Sequence, residues 1–361
     1  MKPRSTVYII AEAGVNHCGD LSLARKLIEA ASKCGADAIK FQTFKSELMS
    51  TGKAKKAAYQ MSDSGDDVSH QKMLKSLELP FEWHSELQQY SNQLGLDFLS
   101  SPFDIASLEL LLSLDIPFVK VPSGEITNVP LLWHCGRSKK PIIMSTGMST
   151  IEEITFALAN ICFGRTSQFM PSSSQEVWNF WSSMSAKSAN LADISLLHCN
   201  SEYPTPTESA NMFAIKSLGS HFQLPIGYSD HTEGHLMPIV ATALGAKIIE
   251  KHFTLDRSLP GPDQSMSMEP AGFEEMVRLI REAELSLGDG DKKPKNGEIT
   301  NIKIARQRVI AARSIKKQSV ITPEDLTTSR CAEGIFADKF WDVVGSSAIS
   351  DYEVGEAIET R

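Results

Sequence analysis

Residues 246–256, "AKIIEKHFTLD", begin as a buried strand and end in side chains that resist burial. Ala246, Ile248 and Ile249 suit a core, whereas Glu250, Lys251 and His252 are costly to bury unless paired or bound. Seven earlier runs have the same form: "VYIIAEAG", "ADAIKFQT", "LDFLSSPF", "PFVKVPSGE", "PIIMSTG", "ISLLHCN" and "PIGYSDH". Between the first two, "DLSLARKLIEAASKCGA" puts Leu23, Leu27, Ile28 and Ala31 on one helical face behind an Asp20 N-cap. After the eighth, "PAGFEEMVRLIREAELSLG" repeats the helical spacing with Phe273, Met276, Val277 and Ile280 and stops at Gly288. Eight alternating units predict an α/β chain, a closed (β/α)8 TIM barrel with its helices outside. An open doubly wound sheet is the rival, but no G-x-G-x-x-G follows the first strand.

The barrel is expected over residues 1–287, followed by a Gly-, Pro- and Lys-rich linker at 288–300, "GDGDKKPKNGEIT". Residues 301–361 show short β-like runs with turns and no long helix, which predicts a small β-rich C-terminal domain. Two stretches interrupt the rhythm. Residues 45–79 form a long polar connection after the second strand, where barrels keep lids. Residues 163–190 are Ser-rich and read as an insertion whose Trp178 and Trp181 pack locally or on a partner chain.

A formal charge of −8 argues against nucleic acid or anionic membrane as a partner. It also means that an anionic substrate needs a local basic cluster. No apolar run reaches the roughly 18 residues of a membrane span. The N-terminus does not read as a signal peptide, and six scattered Cys without a C-x-x-C pair fit free thiols in a reducing cytoplasm.

Each apolar run ends in polar residues, and in a parallel barrel those ends meet at the catalytic rim. A Ser after a strand is usually a turn or cap, a Lys a solvated edge, a His a structural hydrogen-bonding residue. Their recurrence on eight strands favours a site. Lys40 and Lys120 supply positive charge and Ser101, Ser123, Ser145 and Ser201 hydroxyl donors, a set for a compact anion such as a phosphate beside a carboxylate. No P-loop motif is present to hold a nucleotide. His231 and His252, on neighbouring strands, can hold a divalent ion with open positions: Mn²⁺, Mg²⁺, Co²⁺ or Zn²⁺. By strand alternation Glu250 shares the face of His252, as a third ligand or an orienting group.

At these residues the chain resembles the sialic acid synthase family. The resemblance rests on "IAEAGVNHCGD", "ADAIKFQTFK", "FLSSPFD", "KVPSGEITN", "PIIMSTGMSTIEEI", "LLHCNSEYPTP", "GYSDHT", "IIEKHFTLD" and "GPDQSMSMEP". The C-terminal "AARSIKKQSVITPEDL" resembles that family's antifreeze-like (SAF) module. The resemblance implies a transferase that condenses phosphoenolpyruvate with open-chain N-acetylmannosamine and water, giving N-acetylneuraminate and phosphate with C–O cleavage. It implies metal binding by His231 and His252, Mn²⁺ first and Mg²⁺ or Co²⁺ as alternatives. It places phosphoenolpyruvate on Lys40, Ser101, Lys120, Ser123, Ser145 and Ser201, and the sugar beside Glu12, Gln42, Tyr203 and Asp263. Glu12 and Glu125 are both candidates for proton transfer. Glu125 has a second reading as a structural buttress of Lys120. A swapped homodimer is implied, with Arg330 of one copy covering the sugar's N-acetyl group in the other. Two departures stand out: "SSPF" for the family's "STPF", and "SRCAEGIF", where Cys331-Ala332-Glu333 replaces a usual Pro-Gly after the arginine.

Other acceptors are 2,4-diacetamido-2,4,6-trideoxyhexoses, giving legionaminic- or pseudaminic-type acids, and N-acetylmannosamine 6-phosphate. A Schiff-base aldolase using Lys40 or Lys120 is the mechanistic rival. Outside enzymology, the antifreeze-like tail allows a sugar-binding or ice-surface protein.

Overall fold

The computed structural model describes residues 6–51, 70–183 and 191–359. The chain divides into two compact units, Met1–Gly288 and Asp289–Arg361. In the first, eight strands follow one another: β1 Tyr8–Gly14, β2 Ala38–Thr43, β3 Asp97–Pro102, β4 Val119–Val121, β5 Ile142–Ser145, β6 Ile194–Cys199, β7 Ile226–Asp230 and β8 Ile248–His252. All their pairings are parallel, in the order β3-β2-β1-β8-β7-β6-β5-β4, and β3 and β4 approach one another to complete a near-closed barrel. This is the expected (β/α)8 architecture, and a small antiparallel sheet follows it.

The first helix, Leu21–Lys33, is capped by Asp20, whose carboxylate accepts from the N–H groups of Ser22 and Leu23. It buries Ala24, Leu27, Ile28 and Ala31. The last barrel helix, Pro270–Leu287, buries Phe273, Met276, Val277 and Ile280 and ends at Gly288 with φ +64°.

Strand alternation splits each strand between two environments. Ile9, Ile39, Phe98, Val119, Ile142 and Ile249 pack outward against the helices. Tyr8, Ile10, Ala38, Leu99, Ile143, Leu197 and Ile248 point inward and fill the lower barrel, with Phe118 against them. Gly227 takes the inward place on β7, where a Cβ would stand 2.5 Å from the Leu197 side chain and from the Ile248 carbonyl oxygen. Only a residue without a side chain closes that layer.

The Ser-rich insertion begins later than expected. The helix Ile151–Thr166 runs through its first residues, and a second helix, Ser174–Ser182, is capped by Ser173. Trp178 stacks on Phe156 at 5.0 Å and Trp181 packs on the main core, so both tryptophans pack within their own unit. The expected lid falls largely on residues 52–69 and the end of the insertion on 184–190, both outside the described residues.

The second unit pairs β9 Arg308–Ala311 with β10 Leu326–Ser329. Val309, Ile315, Ile321, Leu326, Tyr352 and Ile358 form its core. The stretch read as linker contributes to a helix, Asn296–Ala305, at whose start the Lys295 N–H donates to the Glu298 carboxylate at 2.9 Å.

Candidate active site

The residues above the inward apolar layer are polar on every strand. β1 carries Glu12, β2 Lys40 and Gln42, β3 Ser101, β4 Lys120, β5 Ser145, β6 Cys199, β7 Ser229 and β8 Glu250 and His252. They line one cavity of about 380 Å³ at the C-terminal ends of the strands, together with Ser123, Ser201, Tyr203, His231 and Asp263 from the adjoining loops. Register sets their level: Glu12 stands beside Lys40 on one side and His252 on the other, and Ser229 beside Glu250.

The three residues that opened the sequence problem separate by face. Glu250 and His252 look into the cavity. Lys251 points outward, where its ammonium meets Asp230 Oδ2 at 2.6 Å and also donates to the Thr232 carbonyl. Asp230 Oδ1 accepts from the Thr232 N–H and hydroxyl. This buried network ties together the strand ends that carry His231 and His252.

Inside, charges alternate in sign. Lys40 Nζ lies 2.5 Å from Glu12 Oε2, 3.1 Å from Ser101 Oγ and 3.9 Å from Glu250 Oε1. Lys120 Nζ donates to Ser145 Oγ at 2.8 Å and stands 3.6 Å from Glu250 Oε1, which accepts from Ser229 Oγ at 3.1 Å. Gln42 Nε2 donates to the other Glu12 oxygen at 3.3 Å. Burial pushes Glu12 up to about 7 against the pull of Lys40. Burial also lowers Lys120, and for Glu250 the two ammoniums outweigh burial and hold it below the ordinary carboxylate range.

The hydroxyls converge through a glycine. The Gly147 N–H donates to Ser123 Oγ at 3.0 Å, and a Cβ on Gly147 would meet Ser201 Oγ at 2.5 Å and Ser123 Oγ at 2.8 Å. The absent side chain lets the two serines approach.

The imidazoles of His231 and His252 lie 5.4 Å apart between ring centroids, with Tyr203 4.3 Å from His231. His231 Nδ1–H donates to the Asn200 carbonyl at 2.5 Å, which leaves the Nε2 lone pair available. His252 Nδ1 is buried with no hydrogen-bond partner, 3.9 Å from Asp263 Oδ2. Burial lowers the His252 pKa well below the ordinary imidazole range and raises Asp263 to about 6. The imidazoles of His231 and His252 and a nearby carboxylate fit a divalent ion. Among the described residues no three His, Cys, Asp or Glu side chains are already gathered round one ion position. Glu250 is engaged with the lysine pair.

Two named residues stand elsewhere. Glu125 follows β4 in a short 3₁₀ turn, accepts from Asn128 Nδ2 at 2.6 Å and is not among the lining residues. Its pKa is raised by burial. Arg330 belongs to the second unit, exposed just past β10. Ser229, one of the polar residues that end the seventh run, lines the cavity as the pattern implies. Conversely, Cys199 and Gly147 are part of the site without having been singled out, although Cys199 falls on an inward position that alternation marks.

A barrel whose catalytic rim gathers two ammoniums, a set of hydroxyls and two imidazoles defines an enzyme built for an anionic partner and a polarisable oxygen. Comparison with known proteins is specific about the class. The chain belongs to the NeuB family, whose pattern matches residues 27–292, and it is a sugar-acid synthase by that membership. It is 41% identical to the N,N'-diacetyllegionaminic acid synthase of Legionella pneumophila over 99% of this chain and 96% of that one. It is 42% identical to the protein of the same name from Campylobacter jejuni, over 97% and 98%. Among solved structures, the N-acetylneuraminic acid synthetase of Leptospira borgpetersenii superposes with a TM-score of 0.67 at 32% identity, covering 82% of this chain and 90% of that one. Among the described residues no helix is long and apolar enough to cross a membrane.

Proposed function

We propose that this enzyme condenses phosphoenolpyruvate with the open-chain aldehyde of an acetamido sugar, adds water and releases phosphate. The observation that carries the reading is one cavity holding the Lys40–Lys120 and hydroxyl set beside the two imidazoles of His231 and His252. The relatives' names favour a 2,4-diacetamido-2,4,6-trideoxyhexose as acceptor over N-acetylmannosamine.

In this reading Lys40 and Lys120, with Ser101, Ser123, Ser145 and Ser201, bind the phosphate and carboxylate of phosphoenolpyruvate. Holding both reactants turns a bimolecular encounter into a positioned one, worth several kcal/mol, up to about 7–11 in well-oriented systems. C3 of phosphoenolpyruvate bonds to the aldehyde carbon, and water adds to the electron-poor C2. The resulting tetrahedral centre expels phosphate together with its bridging oxygen. Glu12 takes the water's proton, because its carboxylate faces the cavity and its pKa lies near neutrality. Glu250 holds the two ammoniums in place, and Gln42, Tyr203 and Asp263 line the sugar's side. His231 and His252 would hold a divalent ion, Mn²⁺ before Mg²⁺ or Co²⁺, which when bound supplies Lewis-acid polarisation of the aldehyde oxygen. A second copy of the chain delivers the exposed Arg330 over the acetamido group.

The test is phosphate release with phosphoenolpyruvate and a panel of acetamido sugars, with product masses read by mass spectrometry. Release is expected only with both substrates, lost on exhaustive chelation and restored by Mn²⁺. A covalent adduct trapped by borohydride with pyruvate would instead establish the Schiff-base aldolase.

A further inference from the structure

One wall of the cavity has no part in that chemistry. Val15 after β1, Phe44 and Met49 after β2, Leu74 and Leu77 on the helix His70–Leu77, and Phe103 after β3 all line it. They belong to an apolar cluster distinct from both the outer and the inner barrel cores. Phe44 and Phe103 meet edge to face at 6.1 Å. Lys120, Ser123, Ser145 and Ser201 come from β4, β5, β6 and the loops behind them, the imidazoles from the ends of β7 and β8, and the apolar wall from the segments after β1 to β3. In the ring β8 neighbours β1. Lys40 and Ser101 extend the anion set to the ends of β2 and β3, and the apolar wall lies further along the chain from them, in the connections, where the remainder of a sugar with its aldehyde beside His231 and His252 can rest.

We infer that this wall is the specificity element for the far end of the acceptor, taking a sugar that ends in a methyl group and carries a second N-acetyl group, and rejecting one that ends in phosphate. The inference rests on the condensation reading above and deepens it. A 6-deoxy, 4-acetamido sugar offers two methyl groups to bury on Phe44, Leu74, Leu77 and Phe103. Among the described residues a 6-phosphate placed there meets no cation: the lysines that line the cavity are Lys40 and Lys120, already held by Glu12, Ser101, Ser145 and Glu250. Burying a dianion without a partner is prohibitive. A single methyl in an apolar pocket is worth about 10- to 200-fold in kcat/KM.

The experiment measures kcat/KM of the full chain with phosphoenolpyruvate and three acceptors: 2,4-diacetamido-2,4,6-trideoxymannose, N-acetylmannosamine and N-acetylmannosamine 6-phosphate. The first is expected to exceed the second by at least about tenfold, with no turnover of the third. Leu74→Lys is expected to raise the 6-phosphate relative to the trideoxy sugar. Phe103→Ala, at a less buried position that keeps the test open if Leu74→Lys does not fold, is expected to shrink the preference for the trideoxy sugar at least about fivefold, through the acceptor's KM rather than that of phosphoenolpyruvate. An unchanged preference in a folded Phe103→Ala protein, or wild-type turnover of the 6-phosphate equal to that of the trideoxy sugar, would overturn the assignment. Absence of phosphate release with all three acceptors would overturn the condensation reading itself.

Discussion

The inward columns of the barrel hold two layers a few ångströms apart with opposite physical characters. The lower layer, with Ile10, Leu99, Ile143, Leu197 and Ile248, is a dry packed core. The upper layer, on the same strands one alternation further on, is an almost equally buried set of two carboxylates and two ammoniums with two imidazoles beside them. Hydrophobic burial stabilises the first, whereas the second is buried charge that replacement by apolar side chains of similar volume often leaves neutral or improves. Stability and chemistry are thus separated along each strand. The strand end is where a barrel tolerates groups that a core excludes.

The largest expected effect breaks the upper layer alone. Lys120→Met should lower kcat/KM by at least about 10²–10³-fold, as for loss of one preorganised electrostatic donor, while a thermal melt shows the fold retained. Unaltered kinetics would remove Lys120 from the anion site. Next comes the lower layer. Leu99→Ala, with the side chain fully buried, should cost about 4 kcal/mol in denaturant unfolding and leave the pH profile of kcat unchanged.

A third contrast lies beside β2 and β3, where His84 bonds Thr43 Oγ1 at 2.7 Å and the Pro80 carbonyl at 3.0 Å, with His17 buried nearby. Burial lowers both imidazoles from 6.5 to about 4. Between those values the unfolded chain binds protons that the folded one does not, so stability is fully present above pH 6.5 and falls as pH drops through 4. Each group accounts for at most about 3 kcal/mol. Urea unfolding from pH 7 to 4 should show this loss, and His84→Gln should flatten it. The smallest effect is in the insertion: Trp178→Ala should cost about 1 kcal/mol through the lost stack on Phe156 and leave kinetics untouched.

The barrel was legible because burial on both faces makes each strand a nearly continuous apolar run, and the polar interruptions mark its catalytic end. Lys40, Ser101, Lys120 and Ser145 were readable for the same reason. Glu125 shows where that logic stops: β4 ends at Val121, the chain turns at Pro122, and strand alternation no longer says where a side chain points. Cys199 was within reach, two residues beyond inward Leu197, but a cysteine among apolar neighbours carries no polar signal. The helix Asn296–Ala305 gave none either, since it is largely exposed and contains Gly297. The apolar wall was hidden for a different reason. Val15, Phe44, Leu74 and Phe103 come from three connections, those after β1, β2 and β3, with Phe44 and Leu74 thirty residues apart in one of them, and only the closed ring brings them together.

The most direct measurement follows the bridging oxygen of phosphoenolpyruvate. With ¹⁸O at that position and a diacetamido trideoxy sugar as acceptor, the label should leave with the phosphate, and no phosphate should form without the sugar. Label retained in the sugar acid, or phosphate released in the sugar's absence, would contradict the joining of enol and aldehyde in this cavity.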